Sequence, residues 1–151
     1  MKTYALILIL WAGWTCKSEA GSKSVRLAED VSVQSEAKIS LHIPPQLEGK
    51  RLQVQLSKLT AQKPPETLFE LSLRCDSDKR SHHLGYINFF NAVRGLGREP
   101  TFAFDLPDLT RISCPSESLY LMIEPSEAVA PDSFPRIGCV SIRKDGVTSK
   151  R

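Results

Sequence analysis

The chain of 151 residues lacks the short motifs that mark most enzymes in a sequence. It contains no G-x-S-x-G around a nucleophilic serine, no H-E-x-x-H zinc motif and no phosphate-binding G-x-x-x-x-G-K. Gly95 and Gly97 form an isolated G-x-G that does not lie between a strand and a helix, so we interpret them as loop glycines. By elimination, the sequence favours a binding or structural function over catalysis.

A strong charge of one sign is also missing. The 20 Lys and Arg residues nearly balance the 17 Asp and Glu residues, and no basic block stands out. A nucleic-acid partner is therefore not expected. No Cys-x-x-Cys redox motif is present, and Cys75, Cys114 and Cys139 follow the N-terminal segment. Three cysteines predict at most one internal bridge and one remaining thiol, unless all three are small buried apolar residues.

The N-terminal segment carries the one apolar run of note. Lys2 precedes an apolar stretch over 5–12, which is shorter than the roughly 20 residues that a membrane-spanning helix needs. Ser18 and Ala20 then place small residues where a signal peptidase reads the chain. This pattern predicts a signal peptide over 1–20, a mature chain that starts at Gly21, and a secreted or periplasmic location.

Cys16 supports an alternative interpretation of the same segment. A cysteine that follows an apolar run resembles the acylated cysteine of a bacterial lipoprotein, although Gly13-Trp14-Thr15 fits the preceding motif poorly. Lipidation at Cys16 would anchor the protein to the cell envelope. Contact with a membrane is expected in that case only.

Beyond the leader, apolar residues recur at every second position. Alternation of this kind predicts half-buried strands. The predicted strands cover 37–43, 51–56, 69–75, 82–90, 101–106, 118–124 and 136–143. The single helical candidate, 105–111, is too short for more than a turn or two. The sequence therefore predicts one all-β domain over 24–146, a small antiparallel β-sandwich of Greek-key type, followed by a loose tail over 147–151.

The segment HHLGYINFF, residues 82–90, raises the question of a metal site. Neighbouring residues of a strand point to opposite faces, so His82 and His83 do not share one metal ion unless the backbone is irregular. A copper or zinc site needs about three converging ligands. A small copper-handling protein would use His42, His82 and His83 together. Otherwise His82 and His83 mark the start and edge of a strand, and no cofactor is expected.

The same segment ends in two consecutive phenylalanines. On a regular strand one ring enters the core, and the other is covered by the loop over 94–100 or offered to a partner. Gly85 is expected where another backbone or a large ring passes close. The candidate partner-binding residues lie in this segment and the loop that follows it: Phe89, Phe90, Arg94, Leu96 and Arg98.

Three segments, HLGYINFFNA, TFAFDLPDL and SLYLMIEPSEA…RIGCVSIR, resemble in order the C-terminal β-domain of tyrosinases and polyphenol oxidases. The resemblance covers about residues 37–144. The matching positions are Gly85, Phe89, Phe90, Phe102, Phe104, Asp105, Leu106, Asp108, Leu109, Leu119, Leu121, Ile123, Pro125, Ile137, Gly138, Val140 and Ile142.

In that family the domain is a small antiparallel sandwich that covers the dicopper site and keeps the oxidase latent. The resemblance therefore implies a covering module without catalytic activity, whose partner is a separately encoded tyrosinase-like copper oxidase or another exported protein. No residue matches the family's plugging side chain by motif. A structural module of the cell envelope with no specific ligand is the remaining alternative.

Overall fold

The computed structural model describes residues 24–93, 99–115 and 118–144. The predicted signal peptide with Cys16, the predicted tail over 147–151, and the loop residues Arg94, Leu96 and Arg98 lie outside this range. The strands are β1 (Ser24–Ser32), β2 (Ala37–Ser40), β3 (Leu52–Thr60), β4 (Phe69–Cys75), β5 (Asp78–Ile87), β6 (Phe102–Asp105), β7 (Leu119–Pro125) and β8 (Arg136–Lys144). The all-β prediction is confirmed.

Two single 3-10 turns, Pro45–Leu47 and Leu109–Arg111, lie in the described part of the chain. The second lies inside the segment predicted as a short helix. Asp108 precedes it and accepts hydrogen bonds from the hydroxyl and the backbone N–H of Thr110. These hydrogen bonds lower the pKa of the Asp108 carboxyl, because they stabilise its charged form.

The strands form two antiparallel sheets of four. Sheet A has the order β1-β8-β3-β6, and sheet B has the order β2-β7-β4-β5. The first strand thus pairs with the eighth, the second with the seventh, the third with the sixth and the fourth with the fifth. This is the pattern of one long hairpin rolled into two sheets, the jelly-roll form of a Greek-key sandwich.

The core lies between the two sheets and explains the alternation in the sequence. On β4, Phe69, Leu71 and Leu73 are buried, and each is paired across the sheet with a residue of β7. On β3 the buried residues are Leu52, Val54, Leu56 and Leu59. Because alternate side chains point to opposite faces, one face of each strand fills the core and the other stays polar.

Strand β1 was not predicted, and β5 starts earlier than expected. The pairing of β1 with β8 shifts between Arg26 and Ala28, so the regular alternation of apolar side chains is interrupted there. Strand β5 begins at Asp78, four residues before the predicted strand over 82–90, and its first residues are polar. Because β5 is an edge strand of sheet B, polar side chains such as those of Arg80 and Ser81 meet solvent rather than the core.

Gly85 lies where a large ring passes close, as the sequence predicts. A Cβ atom at this position would lie 2.5 Å from Cε1 of Phe104. Phe104 belongs to β6, an edge strand of sheet A, and its ring stacks with Phe102 at a centroid distance of 6.4 Å. The glycine therefore lets the aromatic pair close the sandwich between the two edge strands, β5 and β6.

The Gly85→Ala substitution is expected to lower the free energy of unfolding by about 1–3 kcal/mol, because the added methyl group must displace the Phe104 ring. Urea denaturation of the wild type and the variant measures this change. In the Gly85→Ala/Phe104→Leu double variant the cost should be less than the sum of the single costs, since the smaller side chain makes room. If the two losses in free energy of unfolding simply add, the methyl group at position 85 and the Phe104 ring do not compete for space.

Candidate partner-binding surface

Four connections between strands come together at one end of the sandwich. Ser32 at the end of β1 and Thr60 at the end of β3 both pair with Arg136 at the start of β8. In sheet B, Phe69 at the start of β4 pairs with the ends of β5 and β7. We call this end the loop end. Its described residues are 33–36, 61–68, 88–93, 99–101 and 126–135.

Backbone hydrogen bonds join these connections to one another. The N–H of Ala61 donates to the carbonyl of Ala92 at 3.1 Å, and the N–H of Gln62 donates to the carbonyl of Ser133 at 2.7 Å. The N–H of Ala130 donates to the carbonyl of Pro65 at 3.1 Å. Loops bonded to each other in this way hold a defined backbone shape.

The loop end also gathers the exposed apolar side chains. Among the described residues, four large hydrophobic side chains are exposed: Leu68 (43%), Tyr86 (51%), Phe90 (56%) and Phe134 (51%). Leu68, Phe90 and Phe134 belong to three different connections of the loop end, and Tyr86 lies one residue before the end of β5. Single exposed hydrophobic residues are ordinary on a protein surface, but their collection at one end is typical of a binding site.

Phe134 has the most unusual backbone of the four. Its φ angle is 44°, in the left-handed region, which is uncommon for a bulky residue. Its neighbours Ser133 and Pro135 are buried, and Ser133 donates both its N–H and its hydroxyl to the carbonyl of Ala130. The chain is thus held on both sides while the aromatic ring faces solvent.

The structure separates the two consecutive phenylalanines. Phe89 is 1% exposed and makes an edge-to-face contact with Phe69 at a centroid distance of 5.1 Å. Phe89 is therefore a core residue, and its prediction as a partner-binding residue is corrected on this ground. Phe90 faces solvent in the turn that follows, where its N–H donates to Oδ1 of Asn88.

The outer face of sheet B next to Tyr86 carries a small polar cluster. Nδ1 of His83 lies 2.9 Å from Oε1 of Glu70. The centroid of the His83 ring lies 4.8 Å from the centroid of the Tyr86 ring. A register shift opposite Leu71 and Ser72 places His83 and Tyr86 on the same face, although they are three residues apart. The cluster fixes the ring of Tyr86 at the border of the loop end.

The three histidines do not form a common ligand set. His42 follows β2 at one edge of sheet B, whereas His82 and His83 lie within β5 at the other edge, with two strands between them. This corresponds to a separation on the order of 14 Å. Nowhere in residues 24–93, 99–115 and 118–144 do three or more His, Cys, Asp or Glu side chains come close enough to share a metal ion.

The opposite end of this sheet face is charged and carries a second aromatic ring. Nζ of Lys38 lies 3.9 Å from the ring centroid of Tyr120 and 2.8 Å from Oδ1 of Asp76. The hydrogen bond to Asp76 raises the pKa of Lys38 above its ordinary value. Arg74 and Glu124 form an ion pair between this end and the middle of the face. Tyr120 is thus covered by a cation.

The cysteines are not free thiols. Cys75 at the end of β4 is bonded to Cys114, which lies in the connection between β6 and β7. Cys139 on β8 is also disulfide-bonded, and its partner is neither of these two residues. The prediction of a remaining thiol is wrong for this reason. The disulfide between Cys75 and Cys114 lies at the end of the sandwich opposite the loop end.

Sequence reasoning missed Phe134, Tyr86 and Leu68 as surface residues. Phe134 lies in EPSEAVAPDSFP, a segment rich in turn-forming residues between the predicted strands over 118–124 and 136–143. A large aromatic residue inside such a segment indicates a surface position, because no strand directs its side chain into the core.

Within the part of the chain that the structure describes, no helix has the length and apolar character needed to span a membrane.

Comparison with known proteins was made by family, by curated sequence and by solved structure. No protein-family model matches the chain, and no curated protein matches it. A solved structure of the CBM22-1 and GH10 modules of the endo-1,4-beta-D-xylanase 10B of Clostridium thermocellum, complexed with xylohexaose, matches with 15% sequence identity and a TM-score of 0.41. The match covers 68% of this chain and only 18% of that one.

Proposed function

We propose that this chain is an exported, non-catalytic β-sandwich module that binds a protein partner through the loop end. The observation that carries the proposal is the exposure of Leu68, Tyr86, Phe90 and Phe134 at that end. Aromatic side chains at the centre of an interface supply much of the binding energy of protein complexes. The resemblance to the C-terminal domain of tyrosinases makes a separately encoded tyrosinase-type copper oxidase the proposed partner.

The backbone of the loop end supports binding by insertion of a ring. Residues held in sparsely populated φ regions cost about 1–3 kcal/mol and collect at functional sites. Phe134 is such a residue, with an exposed ring and buried neighbours on both sides. A ring on this support enters a cleft without first being ordered, which lowers the entropic cost of association. Phe134 is therefore the side chain that we propose enters the active-site entrance of the oxidase.

The test compares the wild-type chain with the Phe134→Asn variant. Asparagine tolerates a positive φ better than phenylalanine, so the free variant should be at least as stable as the wild type. The loss of a buried aromatic anchor should weaken binding by about 2 kcal/mol, roughly 30-fold in the dissociation constant. Calorimetric titration into a purified tyrosinase-type catalytic domain measures the affinity, and oxidation of a diphenol measures the inhibition.

The matched control is Tyr120→Asn, which removes an aromatic ring from the opposite end of the sheet face. This variant should bind and inhibit as the wild type does. Equal affinities for the wild type and Phe134→Asn would contradict the assignment of the ring. No binding by the wild-type chain would contradict the oxidase as partner and favour a structural module of the cell envelope.

A further inference from the structure

Two residues on the outer face of sheet B are buried. Leu71 and Leu73 of β4 belong to the core, so the side chain of Ser72 between them points to the outer face. Met122 of β7 pairs with Ser72 across the sheet and points to the same face. Ser72 is nevertheless only 1% exposed and Met122 only 5%. Because side chains on an outer face ordinarily meet solvent, other side chains must cover these two.

The ion pair between Arg74 and Glu124 forms this cover. Arg74 follows Ser72 by two residues on β4. Glu124 follows Met122 by two residues on β7, which runs in the opposite direction. The ion pair therefore crosses the row of the two buried residues diagonally. Its side chains are still 34% and 28% exposed, and an ion pair at the surface contributes little to stability, so a ligand can displace it.

Two polar atoms at this place have no hydrogen-bond partner among the described residues. They are Oγ of Ser72 and Nε of Arg74, and both are buried. Most buried polar atoms in proteins are hydrogen-bonded, because an unpaired one loses its bonds to water without replacement. The Ser72 hydroxyl both donates and accepts, whereas Nε of Arg74 only donates. A ligand hydroxyl group fits both atoms, since it also donates and accepts.

The side chains around the ion pair also suit a ligand with many hydroxyl groups. Oε1 of Glu70 lies 2.9 Å from Nδ1 of His83, and Glu124 binds Arg74. A carboxylate has about four lone-pair sites, so both keep sites for further donors. Tyr86 pairs with Glu70 across β5 and β4, and its ring is 51% exposed. The electron-rich face of such a ring packs well against the C–H groups of a sugar.

We propose that the outer face of sheet B binds a neutral carbohydrate chain. The sugar hydroxyls displace the ion pair from above Ser72 and take over the hydrogen bonds of Arg74 and Glu124. One pyranose ring packs against Tyr86. This function is separate from binding of an oxidase at the loop end, although Tyr86 lies at the border of both surfaces.

The charge and the apolar content of this face favour a neutral sugar over other ligands. Glu70 and Glu124 are direct cross-strand neighbours, and two adjacent carboxylates repel an anion. Among the described residues of this face, Tyr86 is the only large hydrophobic side chain that is exposed. A protein interface usually buries a cluster of such side chains at its centre, so a protein partner is disfavoured here.

Cosedimentation of the chain with insoluble cellulose, chitin or mannan tests the proposal. The wild type should bind at least one of the three. The Ser72→Ala variant loses a hydroxyl that has no partner in the free protein, so it should unfold at no lower urea concentration than the wild type. Its dissociation constant for the same polysaccharide should rise about 10-fold, because a hydrogen bond to the ligand is lost. Tyr86→Ala should weaken binding by a similar factor.

The matched control is Phe134→Asn, which changes the loop end and should bind the polysaccharide as the wild type does. The sugar assay therefore fails or succeeds independently of the oxidase assay. No cosedimentation of the wild type with any of the three polysaccharides would overturn the proposal. Equal binding by the wild type and Ser72→Ala would overturn the assignment of the site. Binding that is lost at high salt would overturn the neutral class of ligand, because salt screens attraction between charges.

Discussion

Substitution of Phe89 by alanine is expected to lower the free energy of unfolding by about 3–5 kcal/mol, whereas Phe90→Ala changes it by less than about 0.5 kcal/mol. The two residues are neighbours of the same type, so the difference between the two losses in free energy of unfolding reflects the burial of Phe89. Phe89 packs edge to face against Phe69 in the core. Its replacement by alanine therefore leaves a cavity between the two sheets. Phe90 has no comparable packing to lose.

Chemical denaturation followed by far-ultraviolet circular dichroism measures both changes. The Phe89→Leu variant is the matched control, because it keeps most of the apolar volume and should lose less stability than Phe89→Ala. A loss of stability in Phe90→Ala as large as that in Phe89→Ala would mean that the second ring is covered by the adjacent loop. In that case Phe90 would not be available to a partner.

Removal of the disulfide between Cys75 and Cys114 is the second large effect. The two residues are 39 positions apart, and a cross-link over a loop of this length stabilises a fold by about 2–4 kcal/mol, chiefly because it restricts the unfolded chain. The Cys75→Ala/Cys114→Ala double variant should lose this amount. It should also loosen the connection between β6 and β7, which Cys114 ties to the end of β4.

Double substitution is preferable to a reducing agent, because a reductant would also act on the disulfide of Cys139. The matched control is Cys139→Ala, which leaves the bond between Cys75 and Cys114 in place. Thermal unfolding of all three proteins measures the change. A double variant that unfolds with the same free energy as the wild type, within about 0.5 kcal/mol, would show that this connection is fixed by its other contacts.

The sequence predicted the strands that bury one regular face. On β3, β4, β7 and β8 the apolar residues repeat at every second position for most of the strand, because each has the core on one side only. Strand β1 escaped prediction because of the register shift between Arg26 and Ala28. The early part of β5 escaped because its polar residues resemble a turn. Irregular pairing and an edge position are properties of the assembled sheet, not of the local sequence.

The candidate site was only partly visible in the sequence. Alternation predicts that one of two consecutive phenylalanines faces outward, but the choice between Phe89 and Phe90 depends on where β5 ends. The exposed ring of Phe134 depends on the positive φ of a loop residue, which no periodicity reveals. The pairing of Cys75 with Cys114 depends on the topology that brings the end of β4 to the connection after β6.

Hydrogen exchange of the chain, with and without the catalytic domain of a tyrosinase-type oxidase, tests the central proposal most directly. The proposal predicts that added protection on binding is confined to the loop end, residues 61–68, 88–93 and 126–135, and to the end of β5 near Tyr86. Protection centred on the outer face of either sheet, or on the end that holds Cys75 and Cys114, would contradict it. An exchange pattern that stays unchanged when the oxidase is present at saturating concentration would also contradict the proposal.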